Sequence, residues 1–218
     1  MLAEYWLEAA TTLVATVALV AGWRKRQNKA RQAFIEDYAF RARLQQRLAT
    51  TYPHLTPAQQ DLVLQSLREY FQICREARGR MIAMPSQAVD LVWHEFILFT
   101  REYDQFCRKG LGRFLHHTPA EAMQARTSAQ QGIKRAWRIA CLREGIDPHK
   151  PSSLPLLFAL DALLLIPDGF HYSLDCLGKR SDNNYCATHI GCSSGCGGGC
   201  SSDSGSDSGC GGGGCGGD

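Results

Sequence analysis

The chain has 218 residues, 44% of them hydrophobic, and 24 lysines and arginines against 21 aspartates and glutamates give a net charge of +3. That is enough apolar material for one packed domain, and the charge balance excludes a strongly acidic or basic disordered chain. No Ser-centred nucleophile elbow, phosphate loop, dinucleotide fingerprint or His-Glu-x-x-His pair occurs, so the enzyme classes with short recognisable signatures are excluded as well.

The charge is unevenly placed. The four acids after Arg180 are accompanied by no base, which leaves +7 on residues 1–180, and five of those bases fall within residues 24–31. Directly before them, residues 5–23 (YWLEAATTLVATVALVAGW) carry a single charge, Glu8. At ~1.5 Å per residue a helix of that length measures about 28 Å, close to the ~30 Å hydrocarbon thickness, with Tyr5, Trp6 and Trp23 at the depths of the aromatic belts. The start MLAEYWLE is acidic where a signal peptide is basic. A transmembrane anchor is therefore expected over 5–23 and a basic juxtamembrane segment over 24–33. By the positive-inside tendency the protein would be a single-pass cell-membrane protein with its C-terminal domain in the cytoplasm and its thiols reduced. The basic cluster then meets lipid headgroups, and no nucleic-acid partner is expected.

The remainder predicts a mainly α helical domain over residues 34–180. Residues 30–51 read as one amphipathic helix through Phe34, Tyr38, Phe40, Leu44 and Leu48. Thr56-Pro57-Ala58-Gln59 and Thr118-Pro119-Ala120-Glu121 each combine a capping hydroxyl, proline at the first helical position and Gln or Glu at the third. From the first, an apolar stripe runs through Leu62, Val63, Leu67, Tyr70, Phe71 and Cys74 to Gly79; from the second, another runs through Ile133, Ala136, Trp137, Ala140 and Cys141 to Gly145. Cys74 and Cys141 lie inside these stripes and are expected to be small core residues. No alternating strand pattern of useful length occurs. The short run Leu163 to Ile166, before the turn signal Pro167-Asp168-Gly169, fits either strand or helix.

Residues 85–119 concentrate the chemistry: Asp90, Trp93, His94, Tyr103, Cys107, His116 and His117. Asp90 and His94 are four apart and share a helix face, where a carboxylate can orient an imidazole or bind an ion beside it. On one straight helix Cys107 would lie ~20 Å from His94 along the axis, so the chain must turn for the two to meet. Thr100 could cap a new helix, and the Gly110 and Gly112 loop could return His116 and His117 toward the first. A site drawn from Asp90, His94, Cys107 and one of His116 and His117 would suit zinc or another borderline-soft divalent ion. The alternative is a Trp, Phe and His face that simply packs.

This core, Val89-Asp90-x-x-Trp93-His94, then Tyr103-x-x-x-Cys107 and the His116-His117-x-Pro119 ending, resembles the signature region of the glycine-rich domain-containing protein-like family. The resemblance implies a short membrane-anchored helical domain with a Gly/Cys tail and no established reaction. Larger relatives often carry a second histidine two positions after the Trp-His pair, where this chain has Phe96.

The last 33 residues hold thirteen glycines, seven serines, three aspartates and the thiols Cys186, Cys192, Cys196, Cys200, Cys210 and Cys215. With so little to bury, residues 181–218 are expected to be a disordered tail. The gaps of four and five between thiols differ from the two-residue gap of zinc ribbons. The tail could gather zinc or Cu(I), serve as substrate of a peptide-modifying enzyme, or stay solvated. The sequence therefore predicts a cytosol-facing helical domain that binds a metal ion or protein partner, with the tail as metal or modification acceptor. The catalytic alternatives are Cys107 with a histidine, or a metal site at His94 with Glu95 as base.

Overall fold

The computed structural model describes the backbone of residues 2–117, 126–174, 184–186 and 190, and the side chains of 12–117, 129–174 and 190. It is mainly helical, as the periodicity predicts: α1 (Leu2–Glu36), α2 (Ala42–Thr51), α3 (Pro57–Glu76), α4 (Gln87–Leu98), α5 (Thr100–Phe106), a π-helical turn (Cys107–Leu111), α6 (Arg126–Arg143) and α7 (Leu156–Leu163). The second proline-capped start, at Thr118, and all tail thiols after Cys186 lie outside the described residues.

Helix α3 is the hub, touching α1, α2, α4, α6, α7 and the π turn. Its start follows from Thr56, whose hydroxyl accepts from Gln59 N at 3.3 Å while Gln59 Oε1 accepts from Thr56 N at 2.8 Å, with Pro57 at the first position. Its stripe is buried: Val63, Leu67, Phe71 and Ile73 are wholly inaccessible, and Tyr70 and Cys74 nearly so. Cys74 and Cys141 are core residues, and burial pushes both thiols up to about 12, with Glu144 and Asp147 adding to the effect at Cys141.

The single helix expected over 30–51 is broken at residues 37–41. Tyr38 and Phe40 turn inward against Phe106 (4.7 Å between centroids) and Phe96 (5.4 Å), and the Arg68 guanidinium donates to the Tyr38 carbonyl at 2.8 and 3.1 Å. An uninterrupted helix would put those two rings on different faces. The partial burial of both rings and the bonds from Arg68 offset the few helical hydrogen bonds lost at the break.

Among the described residues, helix α1 joins the domain through its C-terminal end, where Ile35 is buried and the Gln32 carbonyl accepts from Gln72. Further back, Leu13, Val14, Val17, Leu19 and Trp23 are all more than half exposed. The described apolar stretch, from Thr12 to Trp23, is about 18 Å long at ~1.5 Å per residue, and among the described residues no helix is long and apolar enough to cross a membrane. The span expected over 5–23 is thus not found there; the side chains of 5–11 lie outside the described residues.

Two corrections concern the C-terminal part. A two-stranded parallel ladder pairs β1 (His171–Ser173) with β2 (Asn184–Cys186), His171 opposite Asn184, where no strand is expected. Strands of three residues are too short to betray themselves by alternation. The tail boundary at residue 181 also moves, because β2 lies beyond it and Ile190 is buried in the core at 8% exposure. Residues 164–166 are neither strand nor helix, and close a turn in which Gly169 N donates to the Ile166 carbonyl.

Candidate metal-binding site

The site begins at the first turn of α4. Ser86 caps that helix, its hydroxyl accepting from Val89 N at 3.2 Å, and Asp161 of α7 fixes the cap from behind. The buried Asp161 carboxylate accepts from Ser86 Oγ (2.6 Å), Gln87 N (2.7 Å), Ala88 N (3.4 Å) and Phe170 N (2.9 Å). Gly169 is needed here, since a Cβ on it would fall 2.6 Å from the Asp161 Cβ. With the helix start pinned, Asp90 and His94 project from consecutive turns, as their spacing predicts, and His94 Nδ1 lies 3.5 Å from Asp90 Oδ2.

The chain then reverses, as the site requires. Phe99, at φ −82° and ψ 60°, ends α4 and precedes α5, of which Thr100 is the first helical residue rather than a side-chain cap. The π turn follows, closed by Gly112 N donating to the Cys107 carbonyl at 2.9 Å. Gly112 takes φ +75°, and the Arg31 guanidinium fills the place a side chain would need. Residues 113–117 return along α4, held by a buried relay: Trp93 Nε1 donates to Tyr103 Oη at 3.1 Å, and Tyr103 Oη donates to the Leu115 carbonyl at 2.6 Å.

That relay sets His117 against the indole of Trp93, with centroids 4.7 Å apart, and beside His94. The two Nε2 atoms are 3.0 Å apart, so one imidazole donates to the other, and His117 Nε2 lies 3.5 Å from Asp90 Oδ1. Ligand atoms of Asp90, His94 and His117 all fall within 4.8 Å of one another, the only such group of three among the described residues. Burial lowers the His117 pKa, and the neighbouring His94 lowers it further, against the pull of Asp90. A neutral imidazole is the form that binds metal. Two nitrogens and a carboxylate oxygen, part-exposed and mutually in reach, fit a borderline-soft divalent ion with positions left open.

Of the five residues read from the sequence, three therefore meet. Cys107 does not join them: one helical turn after Tyr103, it continues the buried face of α5 and is wholly inaccessible, and burial raises its thiol pKa. His116 instead meets Phe114 edge-on, with centroids 4.8 Å apart. Glu95 pairs with Arg43 (3.2 Å) and Arg47 (3.9 Å). The residues that sequence reasoning passes over are Asp161, Tyr103 as relay, and Arg47. Of these only Tyr103 gave a signal, as one of the polar-tipped residues gathered in residues 85–119.

No curated protein and no solved structure matches the chain. Residues 30–190, about three-quarters of its length, match the UCP032817-like family, and the match runs from the helix that enters the domain to the last buried residue described. The earlier resemblance to glycine-rich domain-containing proteins gains no support from this. The chain belongs to the UCP032817-like family.

Proposed function

We propose that the domain binds a divalent ion, zinc foremost, through Asp90, His94 and His117, and that it acts as a membrane-tethered binding module. The observation that carries this is the convergence of three ligating groups from two separate chain segments, 23 residues apart between His94 and His117, with ligand atoms within 4.8 Å. A packed aromatic face would not require the more exposed imidazole, His94, to sit against a second imidazole and a carboxylate. The tether is supported by the exposed apolar side chains of α1 from Leu13 to Trp23, followed at once by the bases of residues 24–31, an order that suits an anionic cytoplasmic leaflet. The thiols from Cys186 to Cys215 would be a second, softer acceptor for metal or for a modifying enzyme.

The test uses the full-length protein with the six tail cysteines replaced by serine, so that any ion found belongs to the domain. Purified with zinc and dialysed, it should retain one equivalent and melt at a higher temperature than after chelation. His94→Ala and His117→Ala should each abolish retention. A protein that retains no zinc and whose melting ignores both zinc and chelator refutes the ion site.

A further inference from the structure

The two imidazoles share a groove, His94 half-exposed and His117 more sheltered. His94 and His117 line a cavity of about 330 Å³ with Leu91, Leu98, Glu95 and Arg47, and a second depression, lined by Arg41, Arg43 and Phe99, shares Glu95 and Leu98 with it. One wall of this groove is α2, whose ten residues contain two arginines and no acid; the other is α4. Arg43 and Arg47 stand one turn apart and share a single carboxylate, Glu95, so one positive charge on the wall is unmatched. Arg47 is the less engaged of the two: its Nε is 3.9 Å from Glu95, beyond hydrogen-bonding distance, against 3.2 Å for Arg43. Leu98, 71% exposed, supplies an apolar rim beside it.

We infer that the groove between α2 and α4 binds an organic anion, with a phosphate or carboxylate head at the Asp90–His94–His117 end and an apolar body along Leu91 and Leu98. The inference rests on the ion-binding reading and adds the ligand class. A guanidinium offers paired donors that match the oxygens of a carboxylate or phosphate, and it does so here in the same cavity as the two imidazoles, which gathers positive charge when an ion is held. Neutral ligands gain nothing from that arrangement. A cation would meet Arg47 and the ion together. Arg47 is thus the specificity-determining residue, while Arg43, closer to Glu95, keeps that carboxylate from competing for the anion's place.

Calorimetric titration of the zinc-loaded, full-length protein with serine at the six tail positions tests this, with phenyl phosphate, benzoate and the neutral benzyl alcohol as probes. At least one of the two anions should bind at one per chain, and benzyl alcohol at least tenfold more weakly; which anion binds tells phosphate from carboxylate. Arg47→Gln should weaken the anion by about tenfold, the loss of one charge-assisted contact, and leave zinc retention at one equivalent. Zinc retained with neither anion binding, or anion binding untouched by Arg47→Gln, overturns the anion site alone. If zinc is not retained, the ion reading fails and the anion inference falls with it.

Discussion

Two aspartates serve the same helix in opposite ways. Asp161 is 1% exposed and accepts four hydrogen bonds, two of them from backbone N–H groups of the first turn of α4. Asp90, within that same turn, is part-exposed, and its neighbours on the site side are two imidazoles 3.5 Å away, too far for strong hydrogen bonds. A carboxylate whose acceptor capacity is filled inside the fold holds structure; one with lone pairs left over beside neutral bases is equipped to bind something. Burial and completeness of hydrogen bonding, rather than residue type, separate the two roles. Among the described residues no buried side-chain nitrogen or oxygen lacks a partner, so groups free to take a ligand lie at the surface, where Asp90, His94 and His117 stand within reach of one another.

The largest expected effect follows from Asp161. Asp161→Ala strands the Ser86 hydroxyl and the N–H groups of Gln87 and Phe170, and should cost about 3–5 kcal/mol in urea unfolding. Asp161→Asn restores the shape but turns one acceptor into a donor facing N–H groups, and should recover only part of that. If Asp161→Ala costs less than about 1 kcal/mol, the contrast with Asp90 is wrong.

Next is the relay that joins the two regions. Tyr103→Phe leaves the packing intact but removes the hydroxyl between Trp93 Nε1 and the Leu115 carbonyl, so a loss of about 1–3 kcal/mol is expected for groups left unsatisfied. Because Leu115 positions His117, the same variant should weaken zinc by about tenfold or more, as outer partners of metal ligands commonly do. Phe71→Ala, an equally buried change on α3, should lower stability without a comparable effect on zinc once the protein is folded. That split distinguishes a positioning role from a merely structural one.

How far the sequence reaches is instructive here. The α3 start, the buried Cys74 and Cys141 and the Asp90–His94 pairing were all legible, because each depends on residues within four positions of one another. The partner of the α4 cap was not, because Asp161 is 75 positions from Ser86. The break at Tyr38 and Phe40 was hidden for the same reason: it answers to Phe96 and Phe106, far along the chain. The choice between His116 and His117 hangs on a π turn and a left-handed Gly112 that shift the phase of everything after them, and no periodicity announces such a turn.

A smaller effect concerns the interior thiols. Burial holds Cys74 and Cys141 up to about 12, against ~8.5 in an unfolded chain, so the folded state keeps its thiol protons longer. Their contribution is complete below pH ~8.5 and is lost as pH rises toward 12. The urea midpoint should therefore fall between pH 8.5 and 10, and Cys74→Ala should flatten that slope while lowering stability at pH 7. A slope unchanged in both Cys74→Ala and Cys141→Ala would mean that these thiols ionise in the fold as easily as outside it.

The smallest effect on stability is expected at a residue whose effect on binding is large. Asp90→Asn keeps the side chain's shape and exchanges a charge that is 23% exposed and only loosely engaged with its imidazoles. Surface pairs of that kind contribute about 0–1 kcal/mol, so the metal-free variant should unfold within about 0.5 kcal/mol of the parent. Zinc is another matter, because an amide oxygen carries no charge to offset the ion and loses the carboxylate's advantage as a ligand. The melting shift on adding zinc should then shrink to a fraction of that in the parent. Asp161→Asn should show the reverse pattern, a large loss of stability with zinc affinity kept in whatever fraction remains folded. If Asp90→Asn instead unfolds the protein as Asp161→Asn does, then Asp90 belongs to the scaffold, and the open carboxylate at the first turn of α4 is not a binding group.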